Sequence, residues 1–380
     1  MNCPMKRCAS VAASLGLLTA CGGSSSSQPA AQPPGYYPPP PANYGTAYPQ
    51  AAQQPPPAQG PYAPGPQGPS YPPAPAAGPP VAPPAAPRPA PPPVATVPLP
   101  AAPLGSFDGW GAMSTQFMRQ EPSSVISELL AALPTAMRAK VDGIPLQVVE
   151  DPKEVNAFAG CSKTGTPFMG ITAPLLLIMA RTSEARAFDE LNGSAKYNEL
   201  ANGIASEVRA QRTVAGPPAG FLPLPQALDP RKLARQRFLF DEQVAFVLGH
   251  EMAHHYRGHT GCANGANNSS GITPQDVGRV LSSTVPLFNQ PNEIEADVQG
   301  TFNLLDTGVR RQGGHWTEEG ALMALDFFSR LESLGVETVV LGFLMTHPPP
   351  QLRLPIVQNA AQQWRANGGR APTFPFQLPF

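Results

Sequence analysis

Gly249-His250-Glu251-Met252-Ala253-His254-His255-Tyr256 carries an HExxH pattern. In a helix, residues four apart stack over one another, so His250 and His254 project from one face. Two imidazoles so placed can share one zinc ion, and the glutamate beside the first can take a proton from water. The pattern points to metal-assisted hydrolysis of peptide bonds. The alternative is a helix that merely happens to carry two histidines, but six histidines and 13% charged residues in 380 make a chance match rare. Phe246, Val247 and Leu248 add an apolar run that would bury the helix and leave the histidines at the wall of a cleft.

A catalytic zinc takes three protein ligands and keeps one position open. Downstream, Asn292-Glu293-Ile294-Glu295-Ala296-Asp297 reads as a second helix with Glu293 and Asp297 one turn apart. One carboxylate can then ligate while the other braces a ligand histidine. Carboxylate-rich helix faces are commonly just solvated, but Ala296, Val298 and Phe302 interleave these acids with apolar positions.

Around these two stretches the periodicity predicts helix over 125–141 with a break at Pro134, a strand over 145–150, and short strands over 156–160 and 168–171. A buried helix is expected to begin at 174–182 and another to cover 197–211, with Leu200, Ile204 and Val208 in one row. A Pro-rich connection (216–230) leads into the HExxH helix, which should start near Lys232 or Arg237 and end by His259. The Asn-rich stretch 261–271 reads as a surface loop, and Thr317 as the cap of a final helix with Leu322, Leu325, Phe328 and Leu331 inward. Helices outnumber strands, so the expected fold is mainly α with a small β-sheet.

The start of the chain is of another kind. Lys6 and Arg7 precede a short apolar run at 11–18, the form of a signal peptide (1–20). Leu18-Thr19-Ala20-Cys21 resembles the processing site of bacterial lipoproteins, which predicts a diacylglyceryl group and an amide-linked acyl chain on Cys21. Gly22 after it resembles outer-membrane-sorted lipoproteins, so the expected location is the bacterial cell envelope, on the outer membrane facing the periplasm. Residues 21–105 form a Pro-rich tether with Arg88 as the only charge and no period able to build a core. Semi-extended, it would reach on the order of 100 Å from the lipid. Residues 106–380 are long enough for one sizeable domain. Only Cys161 and Cys262 lie in that domain, and one disulfide between them suits an oxidising compartment. A net charge of −1 without basic stretches predicts no nucleic-acid partner, and no apolar run in the domain is long enough to span a bilayer.

The order GHExAH, then ExEAD at 293–297, then Thr346-His347-Pro348 with Arg353 six residues after the histidine, resembles the HtpX and CAAX-prenyl-protease family of zinc metallopeptidases. The soluble periplasmic BepA-like branch looks closest, and Asn156-Ala157-Phe158-Ala159 resembles that family's NAFA stretch at the edge of the substrate cleft. The resemblance implies a gluzincin-type domain with one zinc per chain, held by His250, His254 and Glu293, with Glu251 as general base. It implies Asp297 as the acid behind the ligands, leaving Glu295 outside the inner set. His347 would either restrain the metal or steady the oxyanion, and Arg353 would support transition-state charge. His259 would be structural or at the rim, and His255 and His315 would have no role at the site.

The chain departs from the HtpX pattern in having no membrane helices around the HExxH helix, so an intramembrane CAAX substrate is not expected. Residues 183–231 and 264–271 look like insertions, and no tetratricopeptide repeats follow His347. The reading is a membrane-anchored zinc endopeptidase acting on protein or peptide substrates, with misfolded or envelope proteins as candidates. The alternative is a non-catalytic or latent chaperone that serves cell-envelope assembly partners. The intact Glu251 favours the enzyme, and the absence of a GxSxG elbow sets aside a serine hydrolase.

Overall fold

The computed structural model describes residues 104–263, 271–282, 290–311, 315–333, 347 and 349–372. The expected signal peptide, Cys21, nearly all of the tether, most of the Asn-rich loop, and Thr346 and Pro348 lie outside the described residues.

Helix α1 (Thr115–Ala132) opens with Ser114, whose Oγ accepts from the Phe117 amide at 3.1 Å. It starts well before the expected position 125, because Phe117, Met118, Pro122, Val125, Ile126 and Leu129 form one buried row that Pro122 disguises. After α2 (Thr135–Val141) come strands β1 (Leu146–Val149), β2 (Ala157–Cys161) and β3 (Pro167–Thr172), in the sheet order β1-β3-β2. Central β3 is buried throughout, parallel to β1 and antiparallel to β2, with Ala159 opposite Met169. Gly170 leaves room for the Phe158 ring, which a Cβ there would meet at 2.1 Å. Strand β2 is therefore an edge, and α6 (Pro274–Ser282), which the sequence reading did not anticipate, packs beside it through Val280 against Gly160.

Helix α3 (Ala173–Asn192) is capped by Thr172 and stopped by Gly193 at φ 63°. Its second half, which falls within the stretch 183–231 read as an insertion, is part of the packed core. Ser183, Glu184, Ala185, Ala187 and Phe188 are buried, and Gln243 Nε2 donates to Ser183 Oγ at 2.8 Å. Small and polar residues on the inner face ended the apolar run in sequence without ending the packing. Helix α4 (Lys196–Arg209) continues this layer, with Tyr197 Oη donating to Asp326 at 2.7 Å.

Helix α5 (Pro230–Tyr256) is the axis of the domain. From Leu239 to Tyr256 every residue is buried, and α1, α3, α7 (Gln290–Gly308) and α8 (Glu319–Ser333) surround it. Each large apolar side chain buried here contributes about 1.5–3 kcal/mol. The HExxH segment thus sits on the most constrained element of the chain. Thr317 precedes α8 and accepts from the Glu319 amide at 3.2 Å, but α8 is not the last helix: α9 (Pro350–Ala366) follows. No helix among the described residues is long and apolar enough to cross a membrane.

Charge is buried along α5. Arg311 contacts Asp241 at 3.1 Å and Glu128 at 3.0 Å, and Arg237 donates to Glu121 at 2.8 Å, tying α1 to α5. Glu242 differs in having no cationic partner within ion-pair distance among the described residues. Its Oε1 accepts from Thr317 N at 2.5 Å and Oγ1 at 3.0 Å, Oε2 has no hydrogen-bond partner, and burial pushes its pKa from 4.5 up to about 8. Below the ordinary value both folded and unfolded states are protonated and the group costs nothing. As pH rises towards 8 the unfolded chain ionises first, and stability is lost by up to on the order of 4 kcal/mol. Thermal melts of Glu242→Gln against wild type should coincide near pH 4 and diverge towards pH 9, with the variant more stable. A constant difference across that range would contradict this assignment.

Candidate metal centre

Two helices and one loop residue build the site. His250 and His254 lie one turn apart on α5, and Glu293 lies in the first turn of α7. These helices meet at Gly249 and Gly300, where a Cβ on Gly300 would stand 3.0–3.2 Å from His250 backbone and Cβ atoms. Asn303 Nδ2 donates to Gly249 O at 3.0 Å and secures the crossing. This close approach brings the α7 carboxylates to the α5 histidines.

His250 Nε2 and His254 Nε2 are 3.1 Å apart. Glu293 Oε2 is 3.4 Å from His250 Nε2, and its Oε1 is 3.3 Å from His254 Nε2. His347 Nε2 is 3.4 Å from Glu293 Oε2 and 3.7 Å from Glu251 Oε1. One ligand atom from each of His250, His254, Glu293 and His347 lies within 4.8 Å of the other three, and all four residues are buried. Glu293 Oε2 and Glu251 Oε1 are buried without a hydrogen-bond partner. Buried carboxylate oxygens aimed at converging imidazole nitrogens are costly unless a cation joins them. A histidine and carboxylate donor set of this kind fits zinc.

The electrostatics follow from the packing. Burial alone would push the His250 pKa down, but the adjacent Asp297 and Glu293 carboxylates outweigh it and lift the group to about 9. His254 is driven well below its ordinary value by burial and by the neighbouring His250. Burial raises Glu251 to about 7 although the neighbouring His250 favours its charged form. Burial would raise Glu293 too, yet His347, His250 and His254 hold it below the usual carboxylate range. Protonated ligands must release their protons to a metal, so acid opposes loading.

Behind His250 stands a second layer. Its Nδ1 is 3.0 Å from Asp297 Oδ1, and Arg353 grips Asp297 with Nη2 at 2.6 Å and Nε at 2.9 Å. Burial would raise the Asp297 carboxyl, but Arg353 and His250 hold it low. Arg353 Nη2 also lies 3.5 Å from His250 Nδ1, so the guanidinium meets this histidine both directly and through Asp297. His255 lies in the core between Phe168 O and Thr260 Oγ1, each at 3.0 Å, and His315 Nδ1 faces Gly308 O at 3.2 Å. Cys161 and Cys262 form a disulfide joining the end of β2 to the loop after α5. Glu295, expected outside the inner set, and His259, expected to be structural or at the rim, stand in line behind His254: His259 meets His254 and Glu295 meets His259. The available signal was Gly258, which ends the helix one residue before His259.

Residues 120–361, well over half of the chain, match the family model of Peptidase family M48. The chain belongs to Peptidase family M48. Its members are zinc-dependent metallopeptidases, which supports metalloprotease activity on protein or peptide substrates. The M48 match covers α5, α7 and α9, the helices that carry the HExxH histidines, Glu293 and Arg353. The chain has no match among curated proteins or among solved structures.

Proposed function

We propose that this M48 peptidase is a lipid-anchored zinc endopeptidase of the bacterial cell envelope, closest to the soluble BepA-like branch, cutting misfolded or envelope proteins. The convergence of His250, His254, Glu293 and His347 beside a buried Glu251 carries the enzymatic part of this reading. The lipoprotein-like Leu18-Thr19-Ala20-Cys21 and the Pro-rich tether support anchoring through Cys21, with outer membrane and periplasm as the location.

His250, His254 and Glu293 hold one zinc ion per chain. When bound, zinc supplies a Lewis acid that polarises the scissile carbonyl and makes water more acidic. Glu251 takes the proton of the attacking water and returns it to the leaving amine. In the metal-free site burial raises its pKa to about 7, and a group in this role must both accept and give up a proton. The substrate backbone runs along the edge of β2, where the Ala159 amide already reaches the Glu251 carboxylate. Asp297 and Arg353 keep the His250 ring in place.

One observation favours a second reading, a latent or non-catalytic protein that binds envelope partners. His347 Nε2 lies as close to Glu293 as His250 does, so the cluster offers four protein donors, the pattern of a closed metal site. Catalysis then requires His347 to withdraw, after which it can steady the oxyanion. Metal content measured with cleavage of casein, with and without a chelator, tests both readings. The enzyme reading expects about one zinc per chain, cleavage lost on chelation, and cleavage restored by zinc. Protein purified without zinc and unable to take it up would overturn the metal assignment. Zinc without cleavage in wild type, but cleavage in His347→Ala, would establish latency.

A further inference from the structure

We propose that His259 is a positioning residue for the zinc ligand His254, the outer half of a relay that runs on to Glu295 and Arg257. The inference rests on the zinc reading above and assigns to His259 and Glu295 a task beyond it.

The relay begins in the backbone. Helix α5 ends at Tyr256, and Gly258 takes φ 85°, a conformation that costs an L side chain far more than glycine. The Gly258 amide donates to His255 O at 3.0 Å and the His259 amide to His254 O at 2.8 Å, the two bonds of a Schellman stop. The chain therefore folds back at Gly258 and lays the His259 ring beside His254, with centroids 5.1 Å apart.

Proton placement then follows. His254 Nε2 faces His250 Nε2 and Glu293, so its lone pair must point that way if it is to bind a cation, and its proton must sit on Nδ1. That Nδ1 is 3.0 Å from His259 Nδ1, which must accept and therefore carries its own proton on Nε2. His259 Nε2 is 3.0 Å from Glu295 Oε2, a carboxylate that accepts, and Arg257 pairs with the other oxygen of Glu295. Every link has one donor and one acceptor, and only one tautomer of each ring satisfies all of them.

His250 has a parallel arrangement, in which Nδ1 faces Asp297 and Arg353 grips Asp297. Each histidine of the HExxH pair is thus backed by a carboxylate with its own arginine. The Asp297 branch is buried, whereas the branch through Glu295 and Arg257 is partly exposed and needs an intervening imidazole to span the distance. Bracing of this kind typically contributes 10- to 100-fold to metal affinity.

The test is zinc affinity, measured on the full-length chain in detergent by competition with a chromophoric chelator. His259→Ala should weaken zinc binding roughly 10- to 100-fold while leaving the melting midpoint of the zinc-free protein unchanged. His259→Asn, whose amide oxygen can stand in for Nδ1 as acceptor, should recover most of the loss. Glu295→Ala should weaken binding several-fold, and it decides the matter if His259→Ala lowers the zinc-free melting midpoint. Wild-type protein that binds zinc alongside His259→Ala and Glu295→Ala variants within twofold of it would overturn the relay and leave the zinc site standing. Wild-type protein that binds no zinc would overturn both.

Discussion

Glu251→Gln is expected to leave zinc binding intact and to reduce cleavage of an unfolded protein by roughly 10²- to 10⁴-fold, the usual contribution of a positioned general base. The substitution keeps size and shape in a site where the side chain is buried. It removes only the ability to take a proton. Zinc content by atomic absorption and initial rates on casein check the two halves separately. Cleavage at the wild-type rate would remove Glu251 from the mechanism. Loss of zinc along with activity would make Glu251 part of the metal-holding set. Protonation removes the base, so wild-type activity should also rise from acid towards neutral pH as the Glu251 carboxylate form accumulates.

Arg353→Ala is expected to lower global stability by about 3–5 kcal/mol, because it leaves the Asp297 carboxylate buried without its charge partner. For a domain of this size the melting midpoint should fall by roughly 10 °C. Zinc affinity should fall as well, since a displaced Asp297 no longer orients His250. Arg353→Lys should recover part of the stability, as one ammonium cannot make both guanidinium bonds to Asp297. Thermal melts and chelator competition distinguish this from direct stabilisation of the transition state. An arginine acting on the oxyanion would cost kcat in the alanine variant while sparing the melting midpoint and zinc affinity.

Local chemistry made much of the centre legible in the chain. The four-residue spacing of His250 and His254 places both rings on one helix face wherever the helix lies, and Glu251 is adjacent by covalent order. The same spacing marks Glu293 and Asp297 as a pair on α7. Strand β3 was recognisable from its apolar run, and α4 from the row of Leu200, Ile204 and Val208. The extent of α3 was not, because its buried face after Thr182 is made of Ser183, Glu184 and Ala187, whose burial depends on partners such as Gln243 far away in the chain. Helix α6 is short and partly polar, and nothing local distinguishes it from a loop.

By itself, then, the sequence determined the candidate ligands, the candidate base, and the helical register that aligns them, because these depend on spacing within one element. Tertiary structure alone decided which side chains meet. The crossing of α5 and α7 at Gly249 and Gly300 brings Glu293 to the histidines, and the return of the chain through α9 puts Arg353 on Asp297. The fold-back at Gly258 makes His259 a neighbour of His254. Those contacts join positions remote in sequence or hinge on one dihedral angle, and neither leaves a periodic trace in the chain.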